Sequence, residues 1–324
     1  MATINSVLGP IDSSDLGFTL PHEHVLTSTA GFKNTYPELL DRELALKLAV
    51  NLLTEARGEG VRTIVDCTTH DLDRDVTLME AASRGGDVQI ICSTGCHLFV
   101  PHTFYPTMFR WMKPMTADAV ADLWEREIEE GIEGTGIKAG IIKIATNDPI
   151  SGPEELMLRA GARAHHRTGV LITTHTPESS RVGIDQIRIL EEEGVDLGRV
   201  YVGHVNSTLD TDYHKRMIDK GVWLGMDHFY PGGPPGTPTW EERASFIKDL
   251  VMEGYQGKIM MSHDWNVGHH VRDHEGVTPN PSPDGYLWIT RSVLPRLREL
   301  GVSEGAVTEM TVDNPRRFFE GTGR

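Results

Sequence analysis

The sequence has few cysteines and no long hydrophobic run. Its 324 residues include three cysteines, Cys67, Cys92 and Cys96, which fall in or beside apolar strand-like stretches. An odd number in such places favours reduced, buried thiols over disulfides. No stretch approaches the roughly 18 consecutive apolar residues that a membrane-spanning helix needs. We therefore expect a sizeable core, a reducing compartment and no membrane partner.

Positive charge is also scarce. Lys and Arg number 31 against 47 Asp and Glu, for a formal net charge of −16. Without a basic stretch interleaved with aromatics, nucleic-acid binding is disfavoured. The opening segment MATINSVLGPIDSSDLGF has neither the basic nor the apolar region of a secretory signal, which predicts a cytoplasmic location. Histidine, in contrast, is abundant at 15 residues, and this favours metal or acid–base chemistry.

Short runs rich in β-branched residues alternate with helical segments along the whole chain. Strands are predicted at 18–25, 63–68, 89–95, 141–146, 171–176, 200–205, 222–227 and 259–264. Glycine ends helix after helix just before the next strand, as expected for C-caps. This alternation predicts an α/β fold, a single (β/α)8 TIM barrel formed by residues 1–324 as one domain. A doubly wound open sheet is disfavoured, because no glycine-rich phosphate loop follows the first strand.

The stretch TLPHEHVL sets His22 and His24 one residue apart on the first predicted strand. Side chains on a strand alternate with a period of two, so both imidazoles face one side while Glu23 points away. By itself, such a pair is either a metal chelate or two packed rings.

Three further candidate ligands end other predicted strands: His175 in TTHT, His204 in VGHV and Asp264 in MSHD. In a (β/α)8 barrel the active site lies at the carboxyl ends of the strands. These side chains therefore converge with His22 and His24 on one mouth of the barrel. Imidazole and carboxylate ligands suit zinc, iron, cobalt or manganese.

Lys143, in GIIKIAT, lies at the inner end of the fourth predicted strand. An ammonium group cannot ligate a metal and is repelled by one. Three arrangements are open at this point. The lysine points outward, it is neutral, or carbon dioxide has converted it into a carbamate that bridges two metals.

These residues together resemble the phosphotriesterase family of the amidohydrolase superfamily. The likeness extends through GIKAGIIKIAT, TTHT, GMDH, HDW and VDNPRRFF and covers essentially the whole chain. It implies a homodimer with two divalent ions per chain, zinc first and cobalt, manganese or iron as alternatives. The implied ligands are His22, His24 and Asp264 for the more buried metal, His175 and His204 for the exposed one, and N6-carboxylated Lys143 together with a hydroxide as the bridges.

The resemblance also implies the chemistry. The bridging hydroxide attacks a lactone or ester carbonyl or a phosphotriester phosphorus, and Asp264 accepts the proton. His228, in GMDHF, matches the histidine that phosphotriesterases use to carry this proton away. Ser207 stands where that relay has its acid, so the relay is incomplete unless Asp210 or another nearby acid substitutes.

The residues that would contact the substrate are His97, Phe99, Phe229 and Trp265. His97 stands where relatives have tyrosine or tryptophan, which puts typical acyl-homoserine-lactone activity in doubt. Three alternatives to an ester or phosphotriester hydrolase stay open. They are an N-acyl amide or carboxyl ester hydrolase with only promiscuous phosphotriesterase activity, a mononuclear amidohydrolase that does not need Lys143, and a metal-bound barrel that binds a ligand without catalysis.

Overall fold

Eight parallel strands lie side by side in chain order, with helices between them, and confirm the predicted barrel. The structure is a computed structural model that describes residues 1–98, 101–229, 236–267 and 284–321. The barrel strands are Phe18–Glu23 (β3), Val61–Asp66 (β4), Gln89–Cys96 (β5), Ile141–Ala145 (β6), Leu171–His175 (β7), Val200–Val202 (β8), Trp223–Met226 (β9) and Ile259–Met261 (β10).

The helices cover the outside of the barrel. They are Phe32–Thr35 (α1), Arg42–Gly58 (α2), Val76–Gly86 (α3), Phe104–Met112 (α4), Ala117–Glu129 (α5), Gly152–Thr168 (α6), Gly183–Glu192 (α7), Thr211–Asp219 (α8), Trp240–Met252 (α9), Leu294–Glu299 (α10), Glu304–Thr308 (α11) and Asn314–Glu320 (α12). Within the described ranges, none of these helices has the length and apolar character needed to cross a membrane.

Helix α2 illustrates how the sequence produces this outer layer. Its buried residues, Ala45, Ala49, Leu53 and Ala56, recur every three or four positions, which places them on one face toward the barrel. The carboxylate of Asp41 accepts a hydrogen bond from the backbone N–H of Leu44 and caps the first turn. The apolar face and the cap together fix where this helix begins and which side it buries.

A short antiparallel hairpin precedes the barrel and was not predicted. Its strands are Thr3–Ser6 (β1) and Gly9–Asp12 (β2). Ile4 is buried in the apolar cluster that fills the barrel interior, together with Leu16 and Trp223. The hairpin therefore closes the end of the barrel opposite to the carboxyl ends of the strands.

Two predicted strands end three residues early. The predictions at 200–205 and 259–264 correspond to strands that stop at Val202 and Met261. His204 and Asp264 then adopt left-handed backbone conformations, with φ of 63° and 55°. A residue in this conformation cannot continue a ladder, so both side chains leave their strands at the mouth of the barrel.

The barrel closes between its first strand and the segment that follows its last one. The backbone N–H of Asp264 donates to the carbonyl oxygen of His22 at 3.1 Å, and that of His24 donates to Trp265 at 2.9 Å. Asn266 forms an isolated parallel bridge with His24. The closure thus sets the Asp264 side chain directly beside the two histidines of β3.

Candidate metal centre

His22, His24 and Asp264 meet at the carboxyl end of the barrel. His24 Nε2 lies 3.0 Å and His22 Nε2 lies 3.5 Å from Asp264 Oδ1. One ligand atom from each of the three residues lies within 4.8 Å of the others, close enough to hold one metal ion. The structure therefore brings together the residues predicted to hold the more buried metal.

Asp227 orients two of the histidine rings. Its Oδ1 is 2.9 Å from His204 Nδ1, and its Oδ2 is 3.1 Å from His22 Nδ1. An ionised carboxylate only accepts hydrogen bonds, so it places the proton of His204 on Nδ1. Its charge beside His22 Nδ1 favours the same tautomer in that ring. The Nε2 lone pairs of both rings are then available to a metal, as for histidine ligands whose other nitrogen is held by a carboxylate.

Burial keeps these imidazoles neutral. It lowers the pKa of His22 to about 4, and the nearby Lys143 adds to the effect. Burial, followed by the effect of His228, lowers the pKa of His204 to about 3. Neutral imidazole is the form that binds a metal, so both rings can bind one at neutral pH without first losing a proton.

Lys143 points into the site. It is 2% exposed, and its Nζ lies 2.6 Å from His22 Nε2. The outward-pointing arrangement considered from the sequence is therefore excluded. On the neighbouring β5, Gly95 pairs with Lys143, and a Cβ at Gly95 would lie 1.9 Å from the Lys143 carbonyl oxygen, so only glycine fits beside this backbone.

His175 and His204 lie on the other side of the site. Their ring centroids are 4.5 Å apart, and the His204 ring is 4.6 Å from that of His22. Among the described residues, His204 Nε2 has no hydrogen-bond partner although it is buried. A buried imidazole nitrogen without a donor, facing a carboxylate, fits a divalent cation.

His228 contacts the carboxylate that would face the metals. Its Nε2 is 3.3 Å from Asp264 Oδ2, and its ring is stacked on that of His204 at 4.1 Å. On the other side of the ring, Nδ1 is 2.8 Å from Ser207 Oγ and 4.0 Å from Glu178 Oε1.

Asp210, considered as a substitute for the missing acid, has other partners. Its carboxylate caps α8 by accepting from the N–H of Tyr213, and it forms an ion pair with Arg181 at 2.7 Å. Asp210 therefore caps α8 and pairs with Arg181. On the Nδ1 side of His228, the neighbouring acid is Glu178.

The residues predicted to contact the substrate differ from one another in burial. His97 is half-buried at the mouth, with its ring 5.2 Å from that of His175. Phe229 is fully buried in the hydrophobic core, and Trp265 is 7% exposed and packs against Tyr286. For these two rings the structure shows packing, and a substrate contact would require their surroundings to open. Phe99 lies outside the described residues.

Sequence reasoning missed two acids that position the site. Asp227 could have been found, since it precedes His228 at the end of the seventh barrel strand. Glu23 does point away from the two histidines, but it is fully buried and accepts hydrogen bonds from the N–H groups of His263 and Trp265. It thus holds both neighbours of Asp264.

The family model of the phosphotriesterase family matches residues 2–319. The chain is 38% identical to the phosphotriesterase homology protein of Mycobacterium tuberculosis, over 100% of this chain and 99% of that protein. It is 34% identical to the aryldialkylphosphatase of Saccharolobus solfataricus, over 95% and 96% of the two chains.

More distant relatives include the N-acetyltaurine hydrolase of Dictyostelium discoideum, 29% identical over 85% of this chain and 73% of that one. The solved structure of the phosphotriesterase from Mycobacterium tuberculosis aligns with a TM-score of 0.90 at 37% identity, covering 98% of each chain. Family model, relatives and solved structure agree with the barrel, and the chain belongs to the phosphotriesterase family of hydrolases.

Proposed function

We propose that this protein is a binuclear metal-dependent hydrolase that cleaves a lactone or other carboxyl ester, or a phosphotriester. The observation that carries the proposal is the cluster of buried histidines around Asp264 and Lys143. His22, His24 and Asp264 could hold one ion. The unpartnered Nε2 of His204 and the buried Lys143 amine supply the remaining side of the site.

The proposed ligands are the six residues of the predicted set: His22, His24, Lys143 as its N6-carbamate, His175, His204 and Asp264. Two divalent ions, when bound, supply a hydroxide nucleophile near neutral pH and polarise the oxygen of the scissile group. Zinc heads the candidate metals because imidazole and carboxylate ligands suit it, with cobalt, manganese and iron as alternatives.

The side chains of the protein handle the proton. Asp264 Oδ2 accepts the proton released as the nucleophile attacks. His228 Nε2, 3.3 Å away, then takes it from Asp264. Asn206 holds the His228 backbone through its N–H and its carbonyl oxygen. The ring itself is held by Ser207 Oγ, 2.8 Å from Nδ1, and by stacking on His204. Asp264 and His228 are therefore the proposed catalytic residues.

The mouth of the barrel adjoins an apolar cavity of about 480 Å³. It is lined in part by Ala30, Phe104 and Met108, and by Asp71, whose carboxylate accepts from the backbone N–H of His97. None of the proposed metal ligands lines this cavity, but its residues lie on the loops and the helix that follow β3, β4 and β5, at the same end of the barrel. An apolar group of the substrate would fit there. The N-acetyltaurine hydrolase relatives keep an N-acyl amide as the second candidate substrate class.

A screen of the metal-loaded protein tests the proposal. Lactones, aryl esters, N-acyl amides and paraoxon-like phosphotriesters are offered to the wild type and to Asp264→Asn, with metal content measured for both. We expect turnover of at least one class by the wild type and its loss in the variant with metals retained. Two bound metals without turnover of any class would favour the non-catalytic binding barrel. One metal with an unmodified lysine would favour the mononuclear enzyme.

The oligomeric state and the partners stay predictions. The family resemblance predicts a homodimer that acts on a small molecule. The acidic composition predicts that it does not bind nucleic acid. Sedimentation equilibrium of the metal-loaded chain tests the dimer.

A further inference from the structure

The segment that follows β4 carries three buried aspartates. Residues 71–75 have the sequence DLDRD, and Asp71, Asp73 and Asp75 are 5%, 5% and 7% exposed. A buried carboxylate is costly unless its oxygens accept hydrogen bonds, and each of the three accepts them from a different part of the chain. We call residues 71–75 the aspartate segment. It connects several elements near the mouth of the barrel.

Asp73 anchors the chain that leaves β3. Its Oδ1 accepts from the backbone N–H of Gly31 at 3.0 Å, and its Oδ2 accepts from that of Lys33 at 2.8 Å. Both N–H groups lie at the start of α1, where the N-cap residue is a glycine and has no side chain that could accept. A backbone hydrogen bond of 3.0 Å from Ser28 to Leu72 supports the same contact. The aspartate segment thus supplies, from another loop, the cap that α1 lacks.

The apolar cavity of about 480 Å³ lies where three segments meet. Thr29 and Ala30 come from the chain after β3, Asp71 comes from the aspartate segment, and Phe104 comes from α4. Asp73 does not line the cavity, but it binds the backbone directly after Ala30. The carboxylate of Asp73 therefore fixes how far the wall formed by the chain after β3 stands from the wall formed by α4.

Asp71 joins the aspartate segment to the neighbourhood of the candidate metal centre. Both of its oxygens accept from the backbone N–H of His97, at 2.9 Å and 3.0 Å. The ring of His97 in turn lies 5.2 Å from that of His175, a proposed metal ligand. One short segment therefore lines the cavity and also holds a residue beside the metal site, which relates the position of one to that of the other.

We propose that Asp73 is a positioning residue that selects the substrate by setting the width of the apolar cavity. The inference rests on the proposed function and deepens it, because it assigns the choice of the substrate's apolar group to a side chain that touches neither the metal ligands nor the reacting atoms. With Asp73 in place, Ala30 and α4 contact an apolar group from two sides. Without its two hydrogen bonds, the chain after β3 is free to move away from α4, and the contact is lost.

The test compares two compounds of the best substrate class that differ only in one apolar group, methyl against pentyl. Among aryl esters these are p-nitrophenyl acetate and p-nitrophenyl hexanoate. Full-length, metal-loaded wild type, Asp73→Asn and Asp73→Ala are assayed for kcat and KM, and their metal content and melting temperature are measured. Asp73→Asn keeps one oxygen acceptor and serves if the alanine variant fails to fold. The dissociation constants of hexanoate and acetate, measured by calorimetry, report on the cavity without turnover.

Asp75→Asn is the matched control. Asp75 is a buried aspartate of the same segment that accepts from the backbone N–H of Leu78 and pairs with Arg42 at 2.8 Å, but neither partner lines the cavity. The variant should lose stability, as the Asp73 variants do, while its preference between the two compounds stays that of the wild type. It separates a change of cavity width from a general loss of stability.

We expect the wild type to prefer the pentyl compound, since each buried methylene strengthens binding about fourfold. In both Asp73 variants the ratio of kcat/KM between the pentyl and methyl compounds should fall by about tenfold, the effect of one to two methylenes. The fall should come from KM for the pentyl compound, while kcat for the methyl compound and the metal content are retained. The preference for hexanoate over acetate should fall in the same way.

Three results would overturn the inference: a wild type without preference for the pentyl compound, an unchanged preference in both Asp73 variants, or an equal fall in Asp75→Asn. Failure of the proposed function gives a different result. In that case the wild type turns over neither compound, whereas the dissociation constants of hexanoate and acetate still show whether Asp73 controls the cavity.

Discussion

Lys143 Nζ lies 2.6 Å from His22 Nε2, and both side chains are buried. A charged ammonium group in this place would have to donate to His22 and would repel any metal bound there. An uncompensated buried charge also costs several kcal/mol of folding free energy. Addition of carbon dioxide removes the positive charge and provides oxygen ligands, so this contact is the physical reason to expect a carbamate.

The carbamate can be tested by intact mass and by substitution. We expect the native, metal-loaded chain to carry the mass of one added carbon dioxide, lost on acid denaturation. Lys143→Met should retain the fold, because the side chains are similar in length, but it should bind fewer metals per chain. Lys220→Met is the control, since Lys220 is half-exposed and pairs with Glu191 on the surface. Full metal content in Lys143→Met would contradict a bridging role for the lysine.

Asp227 should control metal affinity through the histidine tautomers. Asparagine at 227 can donate as well as accept, so it no longer forces the protons of His22 and His204 onto Nδ1. We expect Asp227→Asn to weaken metal binding by about 10- to 100-fold, as for other carboxylates that hold ligand histidines. Competition with a chelator measures this. Asp210→Asn, an equal change at an exposed helix cap, should leave the affinity unchanged, and equal affinities in both variants would refute the argument.

The barrel and the inward-facing residues follow from local patterns in the sequence. Alternation of strands with helices predicts the (β/α)8 fold, and the period of two puts His22 and His24 on one face. The same reasoning placed Glu23 on the opposite face correctly. It gave no reason to expect that the buried carboxylate of Glu23 would contact His263, far away along the chain.

The contacts that join different loops could not be predicted in this way. His228 and Glu178 follow different strands, and their contact depends on how the loop after β7 turns across the mouth of the barrel. The ends of β8 and β10 were also missed, because the strand pattern does not show that His204 and Asp264 turn left-handed. The sequence pattern predicts individual strands and helices. Contacts between loops and the exact ends of strands depend on how those elements pack against one another.

Asp75 should contribute stability that is lost in acid. Burial by itself raises the pKa of this carboxyl, but hydrogen bonds from Arg42, Leu78 and Thr77 outweigh it and lower the pKa to about 2. Because the folded pKa lies below the unfolded one, the stabilisation is complete above pH 4 and disappears as the pH falls toward 2. It amounts to about 2 kcal/mol.

Urea unfolding of Asp75→Asn between pH 2 and pH 7 measures this contribution. We expect the variant to be less stable than the wild type at pH 7 and the difference to shrink as the pH approaches 2. Asp87→Asn is the control, because Asp87 is 82% exposed in its pair with Arg57, and exposed pairs contribute little. A difference for Asp75→Asn that does not change with pH would show that the carboxylate charge is not its origin.

Glu23 should affect catalysis through the conformation of Asp264. Its carboxylate accepts hydrogen bonds from the N–H groups of His263 and Trp265 at 3.0 Å each, on both sides of Asp264. Asp264 has a φ of 55°, a conformation that costs about 1 kcal/mol or more for a residue with a side chain. The strained turn persists because Glu23 anchors the residues before and after it.

Glu23→Gln replaces an oxygen acceptor with an NH2 donor that faces backbone N–H groups. We expect a loss of about 1–3 kcal/mol of stability from the unmade hydrogen bonds and a fall in kcat, because Asp264 is no longer held beside His24 and His228. Glu154→Gln is the matched control. Glu154 is also fully buried and accepts from backbone N–H groups, those of Asn147 and Ser151, but it does not contact Asp264. It should lose stability while kcat is retained, and an equal fall of kcat in both variants would mean that Glu23 acts on the barrel as a whole.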